Sequence, residues 1–293
     1  MRYHKNKHKG EKFALLYVLI VLLISFLFLI VFVHDDVIKV VRKFNAPLIK
    51  AKNAIVYDTT FNKVLYEKKA DDVVKLASLV KVMTAVVAEE ELAKDKSVYI
   101  AGNAVVVPDY LQNSYGEEWA RDELVRFMLF VSSNTAANAL NFEAINQNKS
   151  FIFKMNKKAQ DLKLDTLSFS NPSGLDDLGD PGSYGSARDF AKLFEYAISN
   201  YPYVFEPTKY KEYNFISSTG HNYVATNTNE IADKVPGLYA SKTGFTNAAG
   251  GNLTVAFEVS GRKVIIVVLG SDKEARFIDM KALVDETINI LEK

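Results

Sequence analysis

From Phe13 to Val33 the chain runs for twenty-one consecutive residues without a charge. At about 1.5 Å per helical residue, that length covers the roughly 30 Å of a bilayer's hydrocarbon core. The pattern therefore predicts a transmembrane helix over 13–33. A cleavable leader has a shorter apolar region, about 7–15 residues, and small residues at its cut site. Here the run closes with Val31-Phe32-Val33-His34-Asp35-Asp36, so an uncleaved signal-anchor is expected. Residues 34–50 are mixed in character and read as a linker.

Beyond the linker the rhythm changes twice. Ala54-Ile55-Val56-Tyr57 and Val64-Leu65-Tyr66 flank the polar stretch Asp58 to Lys63, the pattern of a strand, a turn and a returning strand. Near the other end, Leu253 to Val259 and Val264 to Leu269 are β-rich runs joined by Ser260-Gly261-Arg262, a second hairpin signal. Between them, Leu79–Leu92, Asp122–Val131, Ala136–Ile145, Phe151–Leu162 and Ala187–Ser199 carry apolar residues three and four apart, the spacing of helices. A last helix over Asp272–Glu292 sets Phe277, Met280, Leu283, Val284, Ile288 and Leu291 along one stripe, as a helix packed on a sheet does. Terminal strands that pair around a helical insertion make an α+β fold: an antiparallel sheet flanked by helices plus a helical lobe of approximately 79–200, preceded by one transmembrane helix. With no repeat and no linker-like break, 51–293 is expected to be one domain.

Charge adds an orientation and removes a function class. There are 36 basic and 35 acidic residues, a net charge of +1, so no overall field favours nucleic acid. The tail 1–12 nevertheless holds Arg2, Lys5, Lys7, Lys9 and Lys12 against Glu11, while Asp35 and Asp36 follow the span. By the positive-inside rule the tail is cytoplasmic and the remainder extracytoplasmic, in a single-pass membrane protein. Cysteine is absent, which excludes disulfides, Cys-ligated zinc and thiol nucleophiles.

Three short strings carry the candidate chemistry: Ser78-Leu79-Val80-Lys81, Ser132-Ser133-Asn134 and Lys242-Thr243-Gly244. Ser78 stands at the start of a predicted helix, and Lys81 lies one turn along on the same side. Its amine can therefore take the hydroxyl proton as the serine attacks a carbonyl. The helix start favours the oxyanion that acyl transfer creates. Ser-x-x-Lys alone is a common string, and the chain holds a second copy, Ser260-Gly261-Arg262-Lys263, in a predicted hairpin turn to which no function is assigned. Ser132 and Asn134 fall between two helices, where such residues ordinarily cap. In a functional site Ser132 would relay a proton to the leaving amine, and Asn134 would bond Lys81 and the substrate backbone. Lys242 to Gly251 includes enough small residues for a substrate strand to lie against an edge strand. Lys242 could hold a carboxylate there, and its charge would disfavour protonation of Lys81.

The chain resembles the serine D-Ala-D-Ala carboxypeptidases, the low-molecular-mass penicillin-binding proteins, over nearly all of 51–293. The resemblance rests on the three strings and their surroundings, Ala77 to Ala85 and Lys242 to Gly250, together with Met155 to Leu162, Asn171-Pro172-Ser173-Gly174-Leu175-Asp176-Asp177 and Ser186-Ala187-Arg188-Asp189. It implies a β-lactamase/D,D-peptidase-like fold with its cleft between sheet and helical lobe, and an enzyme that needs no cofactor or metal. It also implies Ser78 as nucleophile, Lys81 as base, and Ser132 and Asn134 as the second wall. Lys242, Thr243, Gly244 and Phe245 would form the substrate strand, with the Ser78 and Phe245 N–H groups as oxyanion hole. Partners would be a peptidoglycan stem peptide, β-lactams as acylating inhibitors, and the membrane. Val80 stands where the family usually has Thr, Ser133 replaces a Gly, and Lys75-Leu76 replaces a Pro-containing approach. The residue that grips the terminal carboxylate is open between Lys273 and Arg276. The chain shows no match to the C-terminal β-rich domain of many relatives, so anchoring is expected to fall to the N-terminal span. The expected reaction is removal of the terminal D-alanine from stem pentapeptides. The alternatives are endopeptidase cleavage of cross-links and, in another class, a non-catalytic wall-binding or β-lactam-sensing module. A β-lactamase is disfavoured, since no Glu-x-x-x-Asn string lies between Asn171 and Lys242.

Overall fold

The computed structural model describes residues 17–18, 20–25, 44–147, 150–176 and 182–292. Of the predicted 13–33 span, residues 17–18 and 20–25 are described and helical. The rest of that span, the tail 1–12 and positions 34–43 lie outside the described residues. Among the described residues no helix is long and apolar enough to cross a membrane.

From Phe44 onward the chain forms a unit of its own. Strand β1 (Asn53–Asp58) pairs with β2 (Lys63–Lys68). Asp58 holds the turn between them by accepting from the Thr60 and Phe61 N–H groups at 3.0 and 3.3 Å. A short β3 (Val74–Lys75) leads through a 3-10 turn, Ala77–Val80, into α1 (Lys81–Glu91). The lobe continues with β4 (Ser97–Tyr99), β5 (Glu118–Ala120), α2 (Arg121–Val131), α3 (Asn134–Asn146) and α4 (Phe151–Asp161). It closes with β6 (Tyr184–Gly185), α5 (Ala187–Asn200) and α6 (Pro202–Phe205). A hairpin of β7 (Glu212–Ile216) and β8 (Asn222–Thr226) precedes β9 (Leu238–Thr246), β10 (Gly250–Val259), β11 (Arg262–Ser271) and α7 (Ala275–Leu291).

The main sheet runs β2-β1-β11-β10-β9 with every neighbour antiparallel. The two ends of the domain meet in it, from Asn53 opposite Leu269 to Asp58 opposite Val264. Both faces of the sheet are covered, which is why β10 and β11 read as near-continuous apolar runs. Ala54, Val56, Val255, Phe257, Val264, Ile266 and Val268 join one core with Phe277, Met280, Leu283 and Val284 of α7. Ile55, Ala256, Ile265, Val267 and Leu269 face the other way, into the core shared with the helical lobe. Each fully buried Val, Leu or Ile contributes about 1.5–3 kcal/mol, so the two cores hold the sheet rigid from both sides.

The six helices expected within 51–293 all form, with ends shifted by up to three residues. One shift matters: α1 begins at Lys81, and Ser78 sits in the preceding 3-10 turn rather than in the helix. The ribbons β4–β5 and β3–β6 and the hairpin β7–β8 were not among the expected elements. The first two are too short to show a period. The third alternates Tyr213 and Phe215 with polar neighbours, then turns at Thr219-Gly220, a period-2 signal that is present in the sequence.

Candidate active site

Side chains three apart eclipse one another in a 3-10 turn, and this brings Lys81 Nζ to 2.9 Å from Ser78 Oγ. The same amine donates to Asn134 Oδ1 at 2.8 Å and to the Ser173 carbonyl at 2.6 Å. Lys81 is completely buried, whereas Ser78 is partly open. Burial disfavours the ammonium form and brings the Lys81 pKa down to about 7, against the opposing charge of Asp109. A neutral amine has two N–H groups and one lone pair. The Asn134 and Ser173 oxygens are acceptors only, so they take the two N–H groups and the lone pair is left for the Ser78 hydroxyl.

Ser173 reaches this position because the loop before it is tied down. Asn171 Oδ1 accepts from the N–H groups of Ser173 and Gly174 at 3.1 and 2.6 Å, and Thr84 of α1 donates to the Pro172 carbonyl at 2.6 Å. Gly174, at φ +77°, packs on the peptide of Ala77, where a Cβ would come within 2.0 Å of the carbonyl oxygen. Ala77 itself is held at φ 49°.

A second group of contacts lies on β9, at the sheet edge. Lys242 is also buried and donates to Ser132 Oγ at 2.8 Å and to the Thr243 carbonyl at 2.7 Å. Its pKa lies well below that of an ordinary lysine, through burial first and then through the charges of Lys81 and Arg276. This corrects one expectation: burial, not the charge of Lys242, is the leading cause at Lys81, and the field of the neighbouring lysine appears at Lys242. Thr243 Oγ1 donates to Thr228 Oγ1 at 2.7 Å. Gly244 lies so close to the nucleophile's turn that a Cβ would sit 3.2 Å from the Ser78 and Leu79 nitrogens. Phe245 is exposed, with Lys273 Nζ 5.6 Å from its ring centroid. Arg276, 7% exposed, donates to the Gly244 carbonyl at 2.8 Å and so braces the strand.

All four catalytic candidates therefore fall into two networks, Ser78–Lys81–Asn134 and Ser132–Lys242. Ser132 ends α2 and Ser133 caps α3 by accepting from Ala136 N–H at 3.0 Å. The capping role and the candidate role thus belong to different residues of one string. Sequence reasoning missed Asp109, which accepts from Ser133 and Thr135, and the Ser173 carbonyl. It also missed Asn252, whose amide donates to the Lys75 and Leu76 carbonyls at 3.0 Å. Asn171 to Asp177 was a usable signal for the Ser173 turn; Asp109 and Asn252 had none. Among the described residues no group of three His, Asp or Glu side chains is placed to hold a metal ion.

The chain is similar to known proteins over most of its length. The chain is 30% identical over 243 residues to a D-alanyl-D-alanine endopeptidase of Escherichia coli, covering 81% of this chain and 77% of the relative. It is 29% identical over 234 residues to D-alanyl-D-alanine carboxypeptidase DacF of Bacillus subtilis, covering 76% of this chain but only 58% of that protein's length. Penicillin-binding protein D2 of Listeria monocytogenes, solved in its ampicillin-bound form, superposes with a TM-score of 0.71 at 30% identity, over 81% of this chain and 97% of that one. Residues 40–273 match the family model described as D-alanyl-D-alanine carboxypeptidase, and the chain belongs to that family.

Proposed function

We propose that this member of the D-alanyl-D-alanine carboxypeptidase family is a serine D,D-carboxypeptidase that removes the terminal D-alanine from peptidoglycan stem pentapeptides. The observation that carries this reading is the Lys81 amine: buried, with a pKa near 7, and with its lone pair left for Ser78 Oγ at 2.9 Å. Ser78 Oγ attacks the carbonyl of the penultimate D-alanine as its proton passes to Lys81. The backbone N–H groups of Ser78 and Phe245 receive the developing oxyanion. Collapse breaks the C–N bond, and the leaving amine takes a proton from Ser132 Oγ, which is bonded to Lys242. Ser132 is resupplied by the proton that Lys81 took up, so Lys81 returns to the neutral amine. Free D-alanine departs and Ser78 is left as an acyl ester. Water then hydrolyses that ester and returns the shortened peptide as a carboxylate. Lys242 and Thr243 face the substrate's terminal carboxylate on β9.

The test is release of D-alanine from a pentapeptide by the purified protein. Release that survives Ser78→Ala sinks the reading. A penicillin should form a covalent adduct on the same serine, in keeping with the ampicillin-bound form of the Listeria neighbour.

The Escherichia coli relative supports a second reading, cleavage of D,D cross-links by the same residues. Mass spectrometry of the products from pentapeptide and from cross-linked muropeptides, side by side, separates the two. The twenty-one uncharged residues of 13–33 and the basic tail before them support a membrane-anchored protein with its peptidase domain outside the cytoplasm. Fractionation of the full chain against one lacking 1–43 tests this, and recovery of the full chain in the soluble fraction would count against it.

A further inference from the structure

Asp109 takes no part in the chemistry above, yet donors surround its carboxylate. It lies in the segment joining β4 to β5. Oδ2 accepts from Ser133 Oγ at 2.8 Å and from Thr135 N–H at 3.0 Å. Oδ1 accepts from Thr135 Oγ1 and from Leu111 N–H, both at 2.9 Å. The residues it grips alternate with the ones that face the cleft. Ser133 and Thr135 are buried against Asp109, while Ser132 Oγ meets Lys242 and Asn134 Oδ1 meets Lys81. Ser132 is moreover held at φ 60°, a left-handed conformation uncommon outside Gly, Asn and Asp. Such a conformation persists only where the surroundings over-determine it, and a carboxylate bonded to the next residue and the third does so.

We propose that Asp109 is a positioning residue: it clamps Ser133 and Thr135 from behind so that Ser132 and Asn134 present their side chains to the two lysines, and it supplies negative charge to the buried Lys81 amine. The four polar residues Ser132 to Thr135 thereby divide into a forward pair and a rear pair, and the rear pair has a purpose beyond capping. The charge matters because Asp109 acts on Lys81, whereas the Asp176 carboxylate is bonded to Lys75 and Thr246, and Glu230 and Glu274 act on Arg276. Lys242 comes from β9, and Arg276 comes from α7 behind it, while the direct partners of Lys81 (Ser78, Asn134 and the Ser173 carbonyl) are uncharged. Asp109 therefore favours the protonated form of Lys81, against burial.

This inference rests on the acyl-Ser78 reading, so its test includes a reference that can fail separately. The full-length protein is acylated with a fluorescent penicillin over the acid and neutral pH range, and the rate constant is followed for three forms. Wild type should lose rate as pH falls and Lys81 takes up its proton. Asp109→Asn removes the charge, so Lys81 keeps its lone pair to lower pH. The acid limb should move to lower pH while the maximal rate falls on the order of tenfold or more through misplacement. Ser133→Ala combined with Thr135→Val removes both side-chain donors of the clamp, leaving the Thr135 N–H, and keeps the charge. Its rate should fall comparably with the limb in place. An acid limb left unmoved by Asp109→Asn overturns the proposal, and so does a double variant with wild-type rate. If Asp109→Asn is recovered only unfolded, the double variant decides by its rate. Failure of the wild type to acylate at any pH sinks the functional reading and this proposal with it, whereas an acylating wild type beside an unaltered Asp109→Asn sinks the proposal alone.

Discussion

The string Ser-x-x-Lys occurs at Ser78–Lys81 and again at Ser260–Lys263, and the two copies share only their spacing. In the first, a 3-10 turn running into α1 stacks the side chains, and the lysine is fully buried. In the second, Ser260 and Gly261 form the two-residue turn between β10 and β11 at φ 50° and 70°, and Lys263 continues into β11 opposite Glu258. Positive φ at both turn positions is what a tight hairpin requires. Both Ser260 and Lys263 are exposed. The contrast teaches that the reactive pair is made by helical geometry and by burial, and that neither is contained in the spacing.

The largest expected effect cuts this contrast in two. Ser78→Ala should abolish the penicillin adduct and D-alanine release, and Ser260→Ala should change neither; mass spectrometry of the acylated protein reads both. Next comes the base. Lys81→Met should lower the acylation rate by about 10²–10⁴-fold, the usual worth of a positioned proton acceptor, while Lys263→Met leaves it intact. Stopped-flow or gel-based acylation rates decide.

A subtler prediction concerns pH. Because burial lowers the Lys81 pKa to about 7, its amine is protonated below that pH and can no longer accept the Ser78 proton. The acylation rate should fall on the acid side of about pH 7 and level off above it. A profile still falling toward acid from well above pH 9 would mean that Lys81 behaves as an ordinary exposed lysine. The smallest effect touches the frame rather than the chemistry. Gly174→Ala forces a methyl against the Ala77 carbonyl at positive φ and should cost about 1–3 kcal/mol, with each kcal/mol lowering Tm by about 2–4 °C in a domain of this size. Gly261→Ala in the second copy meets open space. It carries only the positive-φ strain, so its melting curve should shift less.

Much of the fold was legible. The α7 stripe Phe277, Met280, Leu283, Val284, Ile288 and Leu291 packs on the sheet, because a period of 3.6 is a local property. The terminal strands announced themselves as apolar runs for the same reason. The helix-junction position of Ser132 and Asn134 was also readable, as polar residues between two periodic segments. The short ribbons β3–β6 and β4–β5 were not, since two or three residues carry no period and their partners stand far along the chain. Asp109 escaped because it is one aspartate among many polar loop residues. The Ser173 carbonyl escaped because every residue has one, and only the turn held by Asn171 singles it out.

What the sequence by itself determined was the inventory and its local placement: a hydroxyl and an amine three residues apart before an apolar helix, two short polar residues at a helix junction, and a lysine in a strand of small neighbours. What only the tertiary structure decided was which of these meet and how dry their meeting place is. Lys81 and Lys242 stand 161 positions apart, yet they share one buried cleft because β9 packs on the turn through Gly244. A side chain's proton affinity depends on the solvent it has lost and the charges around it. Those surroundings are assembled from distant parts of the chain, and so Lys81 and Lys263, the same residue in the same string, differ in the property that catalysis uses.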